Sequence, residues 1–169
     1  MKKLVGIILI LSSLAIFGFR IQKKIVLKQN VTGYLKRAAD ANTVEIAQGE
    51  IAKVLNYLEQ EEITEGYTSI FWKTPNEDIG FWYKNLKASQ QELQQVKDGS
   101  TLEKTNVLIK LRETLLDRGG EGKEKVTVPK GLSVYPNNGM WAMLMLGAFT
   151  GLFVGAGFAF VGTQPVKKA

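Results

Sequence analysis

The run WAMLMLGAFTGLFVGAGFAFV, residues 141–161, decides how the chain is built. No charged residue occurs between Lys130 and Lys167, and within the run Thr150 is the one clearly polar side chain. As a helix the run would rise about 31 Å, enough to cross a hydrocarbon core of about 30 Å. Soluble cores seldom hold so long an uncharged stretch. A transmembrane helix over residues 140–162 is therefore expected, with Trp141 at one interface and Lys167 and Lys168, in a basic tail over 163–169, beyond the other.

Outward from it, a second apolar stretch, residues 4–19, follows Lys2 and Lys3. Its length as a helix, roughly 24 Å, is short for a span, and Ser13-x-Ala15 offers the small-x-small pattern of a signal-peptide cleavage site. Bulky Ile16, Phe17 and Phe19 follow that site, and Lys3 and Arg20 can snorkel. An uncleaved anchor over residues 1–20 is the preferred reading, a removed signal peptide the other. Lys2, Lys3, Lys167 and Lys168 place both ends inside the cell; Arg20, Lys23, Lys24 and Lys28 argue the opposite. The charge rule weakens for loops beyond about 60 residues. The expectation is a cell membrane of bacterial inner-membrane type, with the middle domain extracytoplasmic.

Composition narrows the chemistry. The chain has 169 residues, 22 Lys and Arg against 16 Asp and Glu, and a net charge of +6. All 16 acidic residues lie between Asp40 and Glu124, so the part between the apolar runs is nearly balanced in charge. That balance argues against nucleic acid as a partner. With no Cys there is no disulfide, thiolate metal site, cysteine nucleophile or lipoprotein attachment site. With no His the commonest general base and metal ligand are missing as well. No cofactor and no metal are expected.

The middle of the chain reads as helix. Val31, Tyr34, Leu35 and Ala38 recur at three- and four-residue steps in a juxtamembrane helix over residues 21–42, which can continue the first anchor. Val44, Ala47, Ile51, Val54, Leu55 and Leu58 repeat the spacing after Asn42-Thr43, an N-cap pair. Thr74-Pro75-Asn76-Glu77 has the form of a capping box with Pro at the first helical position, ahead of the stripe Ile79, Trp82, Leu86, Leu93 and Val96. Ser100-Thr101-Leu102-Glu103 is a second box, opening a helix with Val107, Leu108, Leu111, Leu115 and Leu116 on one face. Asp117-Arg118-Gly119-Gly120 should end it in a left-handed glycine cap. Three helices with short turns favour a small antiparallel bundle over residues 43–118. Val126-Thr127-Val128-Pro129 and Leu132-Ser133-Val134-Tyr135-Pro136 read as edge strands or an extended stalk over 119–139. The fold class is all-α, a membrane-anchored bundle between two transmembrane helices.

Three features stand out as candidates. Gly147, Gly151, Gly155 and Ala159 fall at four-residue steps, a glycine-zipper register that lets helices approach closely, against either the first anchor or a second copy. Eight of the 21 residues in that run are Gly or Ala, so the register can also arise by chance. Tyr67, Phe71, Trp72, Phe81, Trp82 and Tyr83 gather aromatics around Thr74-Pro75. The three consecutive ones cannot all face a single core, so at least one is open or buried against something else. The group reads as a core cluster, a recognition patch, a ligand pocket or an element dipping into the lipid interface. Arg20, Lys24 and Lys28 form a stripe that suits lipid phosphates or a merely solvated collar.

Catalysis has thin support. Glu77 and Asp78 sit where carboxylates favour a helix start, and Ser100 with Lys104 has the spacing of a serine–lysine pair, but Ser100 is better used as a cap. The expected function is noncatalytic: an integral membrane protein whose helical domain binds or scaffolds another membrane or envelope protein, with membrane lipid and a second copy as further partners. The alternative is a sensor or small-ligand binder with its site at residues 67–83.

Overall fold

The computed structural model describes residues 1–118, 122, 124–135 and 138–161, the side chains of Arg118 and Val161 excepted. The basic tail with Lys167 and Lys168, and the Gly119-Gly120 helix end, lie outside these residues. The helices are α1 (Lys2–Leu27), α2 (Gly33–Ala39), α3 (Val44–Gln60), α4 (Ile79–Gln95), α5 (Thr101–Leu115) and α6 (Gly139–Val161). Strands β1 (Leu116–Arg118) and β2 (Glu124–Val126) form one antiparallel pair, with Leu116 opposite Val126. The described chain is mostly helical, and two of its helices are long and apolar enough to cross a membrane: the continuous helix from Lys2 through Ala39, and Gly139–Phe160.

α1 runs into α2 through one π-helical segment, Lys28–Thr32, closed by the Gly33 N–H donating to the Lys28 carbonyl. An α-helix advances about 100° per residue, so a stripe spaced by four drifts about 40° at every step. The wider turn offsets that drift and keeps Leu27, Val31 and Leu35 on one buried face.

The chain divides into two units, one made of residues 1–24 with the described residues from 139 onward, the other of residues 25–138. In the second unit α2 packs against α3 and α5, and α3 packs against α4. The core thus begins upstream of Thr43, because Leu35, Ala38 and Ala39 of α2 are buried beside the three expected helices. Val44, Ala47, Ile51, Val54, Leu55 and Leu58 are all buried, as are Ile79, Trp82, Leu86 and Leu93. From α5 only Leu111 and Leu115 reach full burial, and Leu116 continues the face as the first residue of β1.

Two helix ends depart from the sequence expectation. α4 starts at Ile79 with Asp78 as its cap, the Asp78 carboxylate accepting from the Phe81 N–H at 2.9 Å. Thr74 and Glu77 instead bond to each other through their side chains at 2.7 Å, around a short 3₁₀ turn, Pro75–Glu77. α5 ends not in a glycine cap but by passing into β1, where Leu116 already has extended backbone angles. The capping box at Ser100 forms in full, with Ser100 and Glu103 reciprocally bonded.

The stretch after β2 is held, not free-standing. The Thr127 N–H donates to the Leu115 carbonyl, Lys130 N–H to the Asn76 carbonyl, and the Trp82 indole N–H to the Thr127 carbonyl at 3.2 Å. No β-strand forms over 127–135. Its backbone groups bond instead to the end of α5, to the 3₁₀ turn at Asn76 and to the Trp82 indole of α4.

Candidate functional site

The aromatic segment is built as a pinned loop. Ile63 is buried at the end of α3, and Gly66, at φ +89°, turns the chain out. Tyr67 pairs with Asp78 as an isolated antiparallel bridge, with the Thr68 N–H on the Glu77 carbonyl and the Ile79 N–H on the Gly66 carbonyl. Thr68 is buried, and its hydroxyl donates to the Lys130 carbonyl at 2.5 Å. The Asn138 side-chain amide donates to the carbonyls of Thr68 and Gly131, both at 2.8 Å. Gly131 has φ +79°, and a Cβ there would stand 3.5 Å from that amide nitrogen, so glycine suits this close approach.

From this fixed base the tip projects. Phe71 is 83% and Trp72 76% exposed, with Ile70 at 45%, and the Trp72 N–H is bound by the Ser69 hydroxyl. Lys73 follows, its ammonium 5.7 Å from the centre of the half-buried Tyr67 ring. On α4 the three consecutive aromatics divide: Trp82 is 9% exposed and Phe81 64%, while Tyr83 is half-buried. The six aromatics therefore form no single cluster with one role. Trp82 serves the core; Phe71, Trp72 and Phe81 stand open; Tyr67 and Tyr83 lie between.

Tyr83 donates its hydroxyl to Glu59, and Lys87 lies 3.3 Å from the same carboxylate. The Tyr83 bond, then Lys87, holds the Glu59 carboxyl below its ordinary range. Burial first, then Glu59, pushes the Tyr83 phenol up. The trio joins α3 to α4 as an ordinary surface network.

In the helix pair of the first unit, the small residues differ among themselves. A Cβ on Gly155 would meet the Gly6 carbonyl at 2.8 Å, and one on Gly6 would meet the Gly155 carbonyl at 2.7 Å and the Ala159 nitrogen at 3.1 Å. At Gly151 it would meet the Ser13 hydroxyl at 2.7 Å. At Gly147 nothing lies within 4 Å. Phe17 packs edge-on against Phe149 at 5.3 Å, and Phe19 against Trp141 at 5.8 Å. Gly6 and Ser13 are the partners that sequence reasoning missed; a lone Gly and a Ser seven residues apart in an apolar helix carry no signal by themselves.

Arg20, Lys24 and Lys28 are all exposed along one row of the first helix. A further feature, not singled out from sequence, is an open groove of about 310 Å³ between α4 and α5, lined by Glu92, Gln95, Val96, Glu103, Asn106 and Lys110 among others. A Lys110–Glu92 pair at 2.6 Å spans it. Ser100 is engaged with Glu103 on both sides of its hydroxyl, as donor and as acceptor. Among the described residues no group of three or more carboxylates is placed to hold a metal ion. No family model, characterised protein or solved structure matches the chain.

Proposed function

We propose that the protein is a noncatalytic membrane-anchored module: two transmembrane helices carry a small antiparallel helical bundle that binds or scaffolds another membrane or envelope protein. The observation supporting this is Phe81. It stands 64% exposed on a helix whose other solvent-side residues are polar apart from Ala88, next to Lys84 and Asn85 in its own row. An aromatic anchor ringed by polar side chains has the anatomy of an interface centre. The sensor reading draws less support, since side chains as open as Phe71 and Trp72 do not wall an enclosed pocket. The small-residue face serves the α1–α6 pairing within one chain in preference to a homo-oligomer, because Gly151 and Gly155 face α1. The proposed location is a bacterial inner membrane with the bundle outside the cytoplasm.

Extraction of the tagged protein in mild detergent tests this reading. Defined proteins should co-purify with the wild type and be lost from Phe81→Ala while its helical circular dichroism is unchanged. Purification alone with a bound small molecule would favour the sensor.

A further inference from the structure

The geometry points to Arg20, Lys23 and Lys24 as a binding site for the phosphates of anionic phospholipids, at the end of the helix pair where Phe19 meets Trp141. It rests on the anchoring of α1 and α6 in a membrane, and it is separate from the partner reading carried by Phe81.

Charge is segregated between the two units. Residues 1–24 and 139–169 hold seven Lys or Arg and no Asp or Glu, whereas residues 25–138 hold fifteen and sixteen. The whole positive excess of the chain therefore belongs to the unit with the two apolar helices. In the other unit cations find carboxylates: Lys36, Arg37, Lys53, Lys87, Lys110 and Arg112 all take part in ion pairs. Among the described residues Arg20, Lys23 and Lys24 take part in none. Their own unit holds no acidic side chain to neutralise them. An anionic group from the surroundings meets that need.

Depth selects lipid phosphate as that group. The apolar run of α1 ends at Phe19, whose ring lies 5.8 Å from that of Trp141 at the start of the α6 run. At the other end of the pair Gly6 faces Gly155. The two runs thus share a boundary marked by one aromatic ring from each helix, and Trp favours the head-group level. Past Phe19 the helix rises about 1.5 Å to Arg20 and about 7.5 Å to Lys24. The head-group layer is about 5–8 Å thick. Continuity of one helix therefore sets all three cations at the depth of the phosphates.

Their arrangement suits a shared anion. Arg20 and Lys24, four residues apart, are both exposed and lie on one face, and Lys23 is three residues from Arg20. The Lys23 ammonium stands 5.9 Å from the centre of the Phe19 ring, back toward the aromatic boundary. A guanidinium offers phosphate two parallel N–H donors, and an ammonium adds a point charge beside it. A head group with net negative charge is favoured over phosphatidylcholine, whose own ammonium the three cations repel.

Spin-labelled lipids test this. The full chain is reconstituted in phosphatidylcholine vesicles with traces of chain-labelled phosphatidylglycerol or phosphatidylcholine. Electron paramagnetic resonance separates lipid held at the protein from bulk lipid. Held phosphatidylcholine reports insertion of α1 and α6 whatever the head group. Its absence would overturn the anchoring reading, and this proposal with it. With insertion established, the wild type should hold phosphatidylglycerol several-fold more strongly than phosphatidylcholine. Arg20→Gln/Lys24→Gln should lose most of that preference, and Lys2→Gln/Lys3→Gln, at the other end of the same helix, should lose less. No preference in the wild type would overturn this proposal alone. So would a loss in Arg20→Gln/Lys24→Gln no greater than that in Lys2→Gln/Lys3→Gln.

Discussion

Substituting Gly155 should part the helix pair, and substituting Gly147 should not. A Cβ at Gly155 would lie 2.8 Å from the Gly6 carbonyl oxygen, 3.0 Å from Ile10 Cγ1 and 3.2 Å from Leu9 Cβ. Carbon needs about 3.5 Å from such neighbours, and one of the three is backbone, which cannot rotate away. The helices must therefore separate by roughly 0.5 Å or more, and a gap of that size already forfeits about a quarter of each dispersion contact along the seam. Overpacking of this kind costs about 1–3 kcal/mol. In lipid no hydrophobic term offsets the loss, so the ratio of paired to parted helices should fall about 5- to 150-fold. Gly155→Leu adds further carbons and belongs at the upper end. Gly151→Ala should be milder, since its obstacle is the Ser13 hydroxyl, a side chain that can rotate at the expense of its bond to the Leu9 carbonyl. Gly147→Leu meets nothing within 4 Å. The assay uses Phe17→Cys with Phe149→Cys, whose parent rings touch at 5.3 Å. Oxidation in native membranes joins them, and residual thiols are counted by maleimide mass tagging. The order of loss should be Gly155→Leu, then Gly151→Ala, then Gly147→Leu. Equal cross-linking for Gly155→Leu and Gly147→Leu would refute the reasoning.

Trp82→Ala should destabilise the helical domain by about 3–5 kcal/mol in urea unfolding, because the ring is buried and its indole N–H holds the Thr127 carbonyl; Phe81→Ala, open to solvent, should stay within about 0.5 kcal/mol. Acid should loosen the junction of α2, α5 and β2, where Arg112 bonds Asp40 at 2.7 Å and Glu124 at 2.6 Å. The Asp40 carboxyl is lowered chiefly by its hydrogen bond from Lys36, and Glu124 by Arg112. Both carboxyls have lowered folded values, so their contribution is complete above the unfolded value near pH 4 and is lost as pH falls through the folded one. Arg112→Gln should therefore flatten the stability–pH curve below about pH 5, and added salt should flatten the wild type, since the pairs are at the surface. For topology, Leu102→Cys should react with a membrane-impermeant maleimide in intact spheroplasts; labelling only after lysis would place the bundle in the cytoplasm.

The helices of the second unit were legible because their burial is periodic. Every residue of the Val44 to Leu58 stripe is buried, and Ile79, Trp82, Leu86 and Leu93 likewise, while Val96, the last of that second stripe, is only half-buried just past the end of α4. Their ends were less so, because caps compete. Thr74 and Asp78 are both good N-cap residues, and what selects Asp78 is its bridge to Tyr67, a partner eleven positions upstream. The end of α5 is decided by pairing of Leu116 with Val126, which no local signal announces. Glu50, buried between α3 and α2 with Arg37 and Lys53 on one carboxylate oxygen, interrupts no apolar stripe and so passes unnoticed in a periodicity reading.

For the candidate site the same division holds, with a physical cause at each residue. Three consecutive aromatics must diverge on a helix, so an open one at 81–83 follows from sequence. That Trp82 is the buried member follows from its place on the stripe with Ile79 and Leu86; the acceptor its indole N–H needs once out of water, the Thr127 carbonyl 45 residues away, does not. The exposure of Phe71 and Trp72 depends on longer-range terms still. Apolar residues are found inside only on average, and these two stay outside because Thr68, Lys130 and Asn138 fix the base of their loop from the far end of the domain. The small-residue register in α6 shows the remaining gap most clearly. Period four marks a face, but contact needs a complement, and Gly6 against Gly155 and Ser13 against Gly151 turn part of that face into a seam while Gly147 is left open.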